Sequence, residues 1–168
     1  VSLLRSRNQS ESALLQIIGC NSQIRYLAGI HTHQGAGRCL DRISIDRRGG
    51  RITKAELKEY KAYGDSVNNL CLFQNDESNL NFTLVTNSNR ILATQNLYFT
   101  EVNQATDAEG KTTLTMRLNT NIEDCYLDFV YTLPADDYMV GMSIQPHNMQ
   151  LALAQNMSSI EMQWNQTI

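Results

Sequence analysis

From Arg42 onward, apolar and polar residues alternate with a period of two, and the pattern recurs to the end of the chain. That period sends every second side chain to one face of an extended strand, whereas one face of a helix needs a period near 3.6. In "TTLTMRLN" Leu114, Met116 and Leu118 share a face, and in "CYLDFVYTL" Cys125, Leu127, Phe129 and Tyr131 do. In "LNFTLVT" Leu80, Phe82 and Leu84 face one way, while Asn81, Thr83 and Val85 face the other. "RISID", "NLCLF", "RILATQNLYFTEV" and "IEMQWNQ" read as further extended segments, the last with Ile160, Met162 and Trp164 aligned. The turn-forming stretches "QNDESN", "NSNR", "NQATDAEGK" and "TNIED" divide them. Many short strands with a turn roughly every ten residues predict an all-β fold, an antiparallel β-sandwich with little helix. A parallel sheet would need crossover helices, and none is visible.

Three places resist a simple reading. "ITKAELKEYKAY" has helix-forming composition, but it starts after Gly49-Gly50, so it is expected to be the strand returning from a hairpin. "HNMQLALAQNMSS" is irregular or holds one helical turn. "FVYTLPADDYMVGMSI" places Pro134, Asp136 and Asp137 between two strand-like runs, the second starting at Asp137. Pro134 and Pro146 are expected at strand ends, where a missing N–H costs little.

The first forty residues differ. "SLLRSRNQSESALLQII" fits an amphipathic helix, and "GIHTHQGAGRC" is Gly-rich and hard to place in any sheet. The expected division is an extension or linker over 1–40 and a sandwich domain over 41–168, truncated at its C-terminal side. The longest apolar stretch, "ALLQIIGC", is far short of the ~20 residues a membrane-spanning helix needs. The chain does not begin with Met and reads as a piece of a longer protein, so it carries no information on targeting.

A net charge of −3 argues against a nucleic-acid partner, which requires a basic face. The cluster Arg38, Arg42, Arg47, Arg48 and Arg51 is interleaved with Asp41 and Asp46 and reads as a solvated, self-paired surface. Cys20, Cys39, Cys71 and Cys125 show no CxxC and no zinc spacing. Buried free thiols are expected, with a Cys71–Cys125 bridge as the alternative in an oxidising compartment. His31 and His33 could share a strand face, but without a nearby carboxylate they make a thin metal site. "GAGR" at Gly35–Arg38 lacks the strand and glycine spacing of a phosphate loop. Asn8, Asn81, Asn156 and Asn165 match the glycosylation pattern, which matters only in an organism that uses it.

The adjacent carboxylates Asp136 and Asp137 could suggest acid–base chemistry. A catalytic pair, however, flanks its substrate across a cleft from separate elements. In a turn, aspartates cap backbone N–H groups instead. Gly49, Gly50, Pro134, Asp136 and Asp137 are therefore read as structural turn residues, with no catalytic, cofactor or metal residue assigned. Tyr98, Phe99, Tyr126, Phe129, Tyr131, Tyr138 and Trp164 are expected in core or half-buried positions.

Three stretches in order, "GGRITKAELKEYKAY", "LCLFQNDESNLNFTLVTNSNRILATQNLYF" and "YLDFVYTLPADDYMVGMSI", resemble the large periplasmic domain of the YidC membrane protein insertases, in their Bacteroides-like form. The resemblance runs from about Gly49 to Ile168. It implies part of a β-supersandwich on the periplasmic side of the bacterial inner membrane. It further implies a non-catalytic domain without cofactors, belonging to a protein that inserts and helps fold inner-membrane proteins. Its partners would be Sec translocon components and membrane-protein clients, met through edge strands or a cleft, with Tyr98–Glu101 as a candidate contact segment. The membrane itself would be reached only by helices absent from this sequence. Two rivals stand beside it. A carbohydrate-binding or carbohydrate-processing sandwich predicts an exposed Trp164 or tyrosines beside separated carboxylates in a cleft. A secreted structural or adhesion sandwich predicts a domain complete within these residues, without a large exposed apolar face.

Overall fold

The computed structural model describes residues 27–31 and 40–167, except 66, 75–76, 136 and 158. The expected amphipathic helix, Cys20, Cys39, His33, the Gly35–Arg38 loop, Asn8 and Asp136 lie outside the described residues. Among the described residues the fold is built from eleven strands, with short 3-10 turns at Thr94–Asn96 and Met149–Leu151. The strands form three antiparallel sheets. The first holds, in spatial order, β1 (Leu27–His31), β2 (Leu40–Asp46), β3 (Ile52–Lys61) and β4 (Asn69–Gln74). The second runs β10 (Gly141–His147), β9 (Tyr126–Leu133), β8 (Thr112–Asn119) and β7 (Glu101–Thr106). The third is β11 (Glu161–Gln166), β5 (Ser78–Val85) and β6 (Ile91–Ala93).

The inward faces of the sheets meet in one core. Leu114, Met116 and Leu118 of β8 and Leu127, Phe129, Tyr131 and Leu133 of β9 are buried, as the alternation requires. They pack in one cluster with Ile43 and Ile45 of β2, Phe82 and Leu84 of β5, and Leu97 and Phe99. Phe129 sits at the centre, 4.6 Å from the Phe99 ring and 5.4 Å from Phe82, the latter edge-on. Burying a side chain of this size stabilises the fold by about 2–3 kcal/mol.

The helix-favouring segment after Gly50 is strand β3, as expected, because both its neighbours, β2 and β4, supply antiparallel ladders. Other expectations needed adjustment. Gly29, Ile30 and His31, the start of the stretch expected to be hard to place in a sheet, end strand β1, which pairs with β2 from Leu27↔Asp46 to His31↔Arg42. "RILATQNLYFTEV" is not one strand: β6 gives way to the 3-10 turn, and β7 starts only at Glu101. The Thr94 side chain holds that break, accepting the Phe82 N–H at 2.9 Å in the buried interior. The return strand after Pro134 starts at Gly141, not at Asp137, so residues 134–140 form a broad connection. Pro146 is the next-to-last residue of β10, at the strand end as expected, and β10 ends its sheet among the described residues.

Candidate functional site

Three places on the molecule concentrate chemistry: a turn locked into the core, an apolar trough beside it, and a polar cluster on the outer face of the second sheet. Asp46 N–H to Arg51 C=O, at 2.9 Å, closes the turn between β2 and β3. Gly49 and Gly50 adopt φ of +82° and +65°, a region that side-chain-bearing residues rarely enter. The turn docks on residues 97–99: Gly49 N–H donates to Leu97 C=O, and Phe99 N–H to Arg47 C=O, each at 2.9 Å. A Cβ on Gly50 would lie 2.8 Å from Phe129 Cδ2 and 3.0 Å from Phe99 Cε2. The Tyr131 hydroxyl donates to the Gly50 carbonyl, and burial pushes that phenol well above the ordinary tyrosine range.

The arginines around this turn reach main-chain carbonyls of other segments. Arg47 donates to Thr100 C=O, Arg48 to Gln95 C=O and Arg51 to Ser78 C=O, at 3.0–3.2 Å. Asp46 Oδ1 accepts the main-chain N–H of Arg48. The cluster thus fastens the turn to two other segments. Tyr98–Glu101, expected as a contact segment, is engaged in the same way: Tyr98 bridges Arg48, and Phe99 is buried.

The trough, about 530 Å³, opens where the core is left uncovered. Its floor includes the core residues Ile43, Phe82 and Tyr131. Ala55, Leu72 and Phe73 line it from β3 and β4, and Val140, Met142 and Ile144 from the β10 side. Met162 and Trp164 of β11 complete it, opposite Phe82 and Leu80 of β5 in register. Trp164 is 66 % exposed and Met162 56 %, so the expectation of a half-buried Trp164 does not hold. The reason is that all of β11 is exposed, with a neighbour on one side only among the described residues. No carboxylate lines the trough among the described residues. An exposed Trp164 is therefore present, but the separated acids of a sugar-processing cleft are not.

A third grouping lies on the opposite face of the second sheet. Asp128, only 4 % exposed, accepts from Arg117 Nε at 2.8 Å and NH2 at 2.9 Å. Arg117 lies 3.6 Å above the Tyr126 ring, which stacks on His147 at 4.4 Å. His147 Nε2 is 3.8 Å from Asp128 Oδ2. Sequence reading missed this set, although an Arg and an Asp on the outer faces of two neighbouring strands were a legible signal.

The remaining candidates are dispersed. Asp137 Oδ1 accepts the Met139 N–H at 3.1 Å within the 134–140 connection. His31 is on β1, and His147 is at the end of β10. No group of three metal-ligating side chains occurs among the described residues. Cys71 and Cys125 are free. Burial raises the Cys71 thiol, and Cys125 contacts Asn148 C=O and Met149 Sδ in the core. Asn81 is buried, its Oδ1 accepting from Thr94 and Gln95, whereas Asn165 is exposed on β11. Lys54, 2.7 Å from Glu56, together with Asn69 holds the Glu56 carboxyl below its ordinary value. No helix among the described residues is long and apolar enough to cross a membrane.

Comparison with known proteins bears on the whole domain. The family model of the YidC periplasmic domain matches residues 40–168. A membrane protein insertase YidC from Parabacteroides distasonis is 44 % identical over 126 residues, 75 % of this chain and 19 % of the relative. One from Azobacteroides pseudotrichonymphae is 36 % identical over 140 residues, covering 83 % of the chain and 22 % of the relative. One from Porphyromonas gingivalis is 33 % identical over 126 residues, 75 % and 19 % respectively. No solved structure matches the chain significantly. The chain spans about a fifth of the length of the curated relatives it matches. On the family match and these identities, the chain belongs to the YidC periplasmic domain family.

Proposed function

We propose that this chain is the periplasmic portion of a membrane protein insertase, a non-catalytic part of a protein that places other proteins in the bacterial inner membrane. The observation that carries this reading is the 44 % identity to a protein named membrane protein insertase YidC, over three quarters of the chain. The chemistry of the surface agrees with contact rather than catalysis: the trough is lined mainly by apolar side chains, and among the described residues β4, β10 and β11 beside it each end a sheet. Such edges offer unpaired N–H and C=O groups to a protein partner. Membrane-protein clients are the first partners, and Sec translocon components the second.

The test is depletion of the resident insertase in a Bacteroides-type host and rescue with the full-length parent protein. The expected result is restored insertion of a reporter inner-membrane protein, with residues 40–168 cleaved by protease added to spheroplasts. Failure to restore insertion, or protection of these residues from external protease, overturns the reading. A photo-crosslinker at exposed Asn103 or Gln104 reports the second partner class. Adducts with Sec subunits support that assignment, and adducts restricted to other proteins refute it.

A further inference from the structure

Among the described residues the second sheet ends at β7, on the side away from the trough, which no residue of β7 or β8 lines. An edge strand presents a row of unpaired N–H and C=O groups, and proteins blunt it with prolines, lysines, bulges or shortness. Other edges of this molecule are blunted: β10 carries Pro146, the β3–β4 ladder shifts register twice, and β6 is three residues long. β7 has none of these devices. It keeps one register with β8 from Glu101↔Arg117 to Thr106↔Thr112, and it holds no proline, lysine or arginine.

The ladder shows which main-chain groups are free. Asp107 N–H donates to Lys111 C=O at 3.1 Å and continues that register. Hydrogen-bonded and non-hydrogen-bonded pairs alternate along an antiparallel ladder, with side chains closer in the latter. Thr106↔Thr112 is therefore a non-hydrogen-bonded pair, in agreement with the 3.1 Å contact of the two hydroxyls. Asn103 and Ala105 thus bond to β8, while Val102, Gln104 and Thr106 turn their N–H and C=O groups to the open side. The side chains there are uncharged, and residues 103–106 are exposed on both faces of the strand.

The same residues select the occupant. A second copy pairing over the whole strand would set Glu101 of one copy opposite Asp107 of the other at both ends, and like charges directly opposite are destabilising. A dedicated folded partner anchors on aromatic or arginine side chains, and β7 has neither. Recognition through the main chain alone accepts any segment that can extend. A protein that places many others in a membrane meets that variety of sequence.

We propose that the free edge of β7 captures an extended, still unfolded segment of a membrane-protein client, which pairs with the main-chain groups of Val102, Gln104 and Thr106. This rests on the function proposed above.

The test uses the full-length parent, purified with and without a reporter inner-membrane protein arrested during insertion, and follows amide exchange residue by residue. With the client bound, the amides of Val102, Gln104 and Thr106 should slow by about tenfold, and those of Asn103 and Ala105, already bonded to β8, by about twofold or less. Gln104→Pro removes one free N–H without touching the ladder to β8 and should lower recovery of the arrested client about fivefold. Gln104→Ala, which retains the N–H, should lose less than half as much. The exchange pattern needs no substitution, so it decides the matter even if the proline variant folds poorly. Equal exchange with and without the client overturns the proposal, and so does a loss with Gln104→Ala equal to that with Gln104→Pro. Slow amides at the three positions before any client is added assign the edge to the parent's own chain, or to a second copy if gel filtration shows a dimer, and overturn it as well. Slowing that follows bound Sec subunits and not the reporter does the same. A parent that restores insertion while its β7 amides ignore the client loses this inference and keeps the proposed function; a parent that fails to restore insertion loses both.

Discussion

The Tyr131 hydroxyl donates to the Gly50 carbonyl across 81 positions of sequence, joining an interior strand of the second sheet to the turn between β2 and β3. Both groups are buried, so neither can turn to water if the other is removed. Tyr131→Phe should therefore cost about 1–3 kcal/mol. The urea midpoint should fall with an unchanged slope. The same bond has a signature in alkali. The folded phenol is held above its unfolded value near 10. The stabilisation is complete below that unfolded value and is lost as pH rises through and beyond it, because the unfolded chain then gives up a proton that the folded one keeps. The variant should lose stability less steeply than the parent sequence above pH ~10. Parallel alkaline curves would show that Tyr131 does not carry the effect.

Gly50 and Gly64 allow backbone strain to be separated from collision. Both have positive φ, +65° and +76°, but a Cβ at Gly64 meets nothing within 4 Å, while one at Gly50 runs into the Phe129 and Phe99 rings. Gly64→Ala should cost about 1–2 kcal/mol, the conformational term alone. Gly50→Ala adds displacement of packed rings and should cost about 1–3 kcal/mol more. Thermal melts of the two variants side by side check this, and equal melting temperatures would refute the packing argument.

The Arg117–Asp128 fork is the polar counterpart of the core on the outer face of the second sheet. Asp128 is nearly covered, and Arg117 is part-exposed. Arg117→Ala should cost about 2–3 kcal/mol, since it strips a covered carboxylate of its fork and also uncovers the Tyr126 ring. Arg117→Lys should recover less than half of that loss, because an ammonium cannot make both bonds. A double-mutant cycle with Asp128→Asn should give a coupling of about 1–2 kcal/mol. A coupling near zero would mean that the pair behaves as an ordinary exposed surface bridge.

The inner faces of β8 and β9 were legible from residue order, because one buried face and a period of two leave no other assignment for Leu114, Met116 and Leu118 or for Leu127, Phe129 and Tyr131. So was the turn at Gly49-Gly50, where positive φ calls for glycine. Trp164 shows where that reading stops. The alternation put it on a strand face with Met162, which is where it stands. Whether that face is covered depends on which sheets surround it, and local pattern carries no record of this. The arginines at 47, 48 and 51 make the same point. Their spacing carried no sign of the carbonyls 27 to 53 residues away to which they donate.

By itself, the sequence determined the strands, their inward faces and the all-β antiparallel class, because period, turn chemistry and side-chain volume act within a few residues. Only the tertiary structure decided that an open trough would lie against the buried core residues Phe82, Tyr131 and Ile43. That outcome depends on which sheets meet and which edges stay unpaired, and these contacts form between segments far apart in the chain.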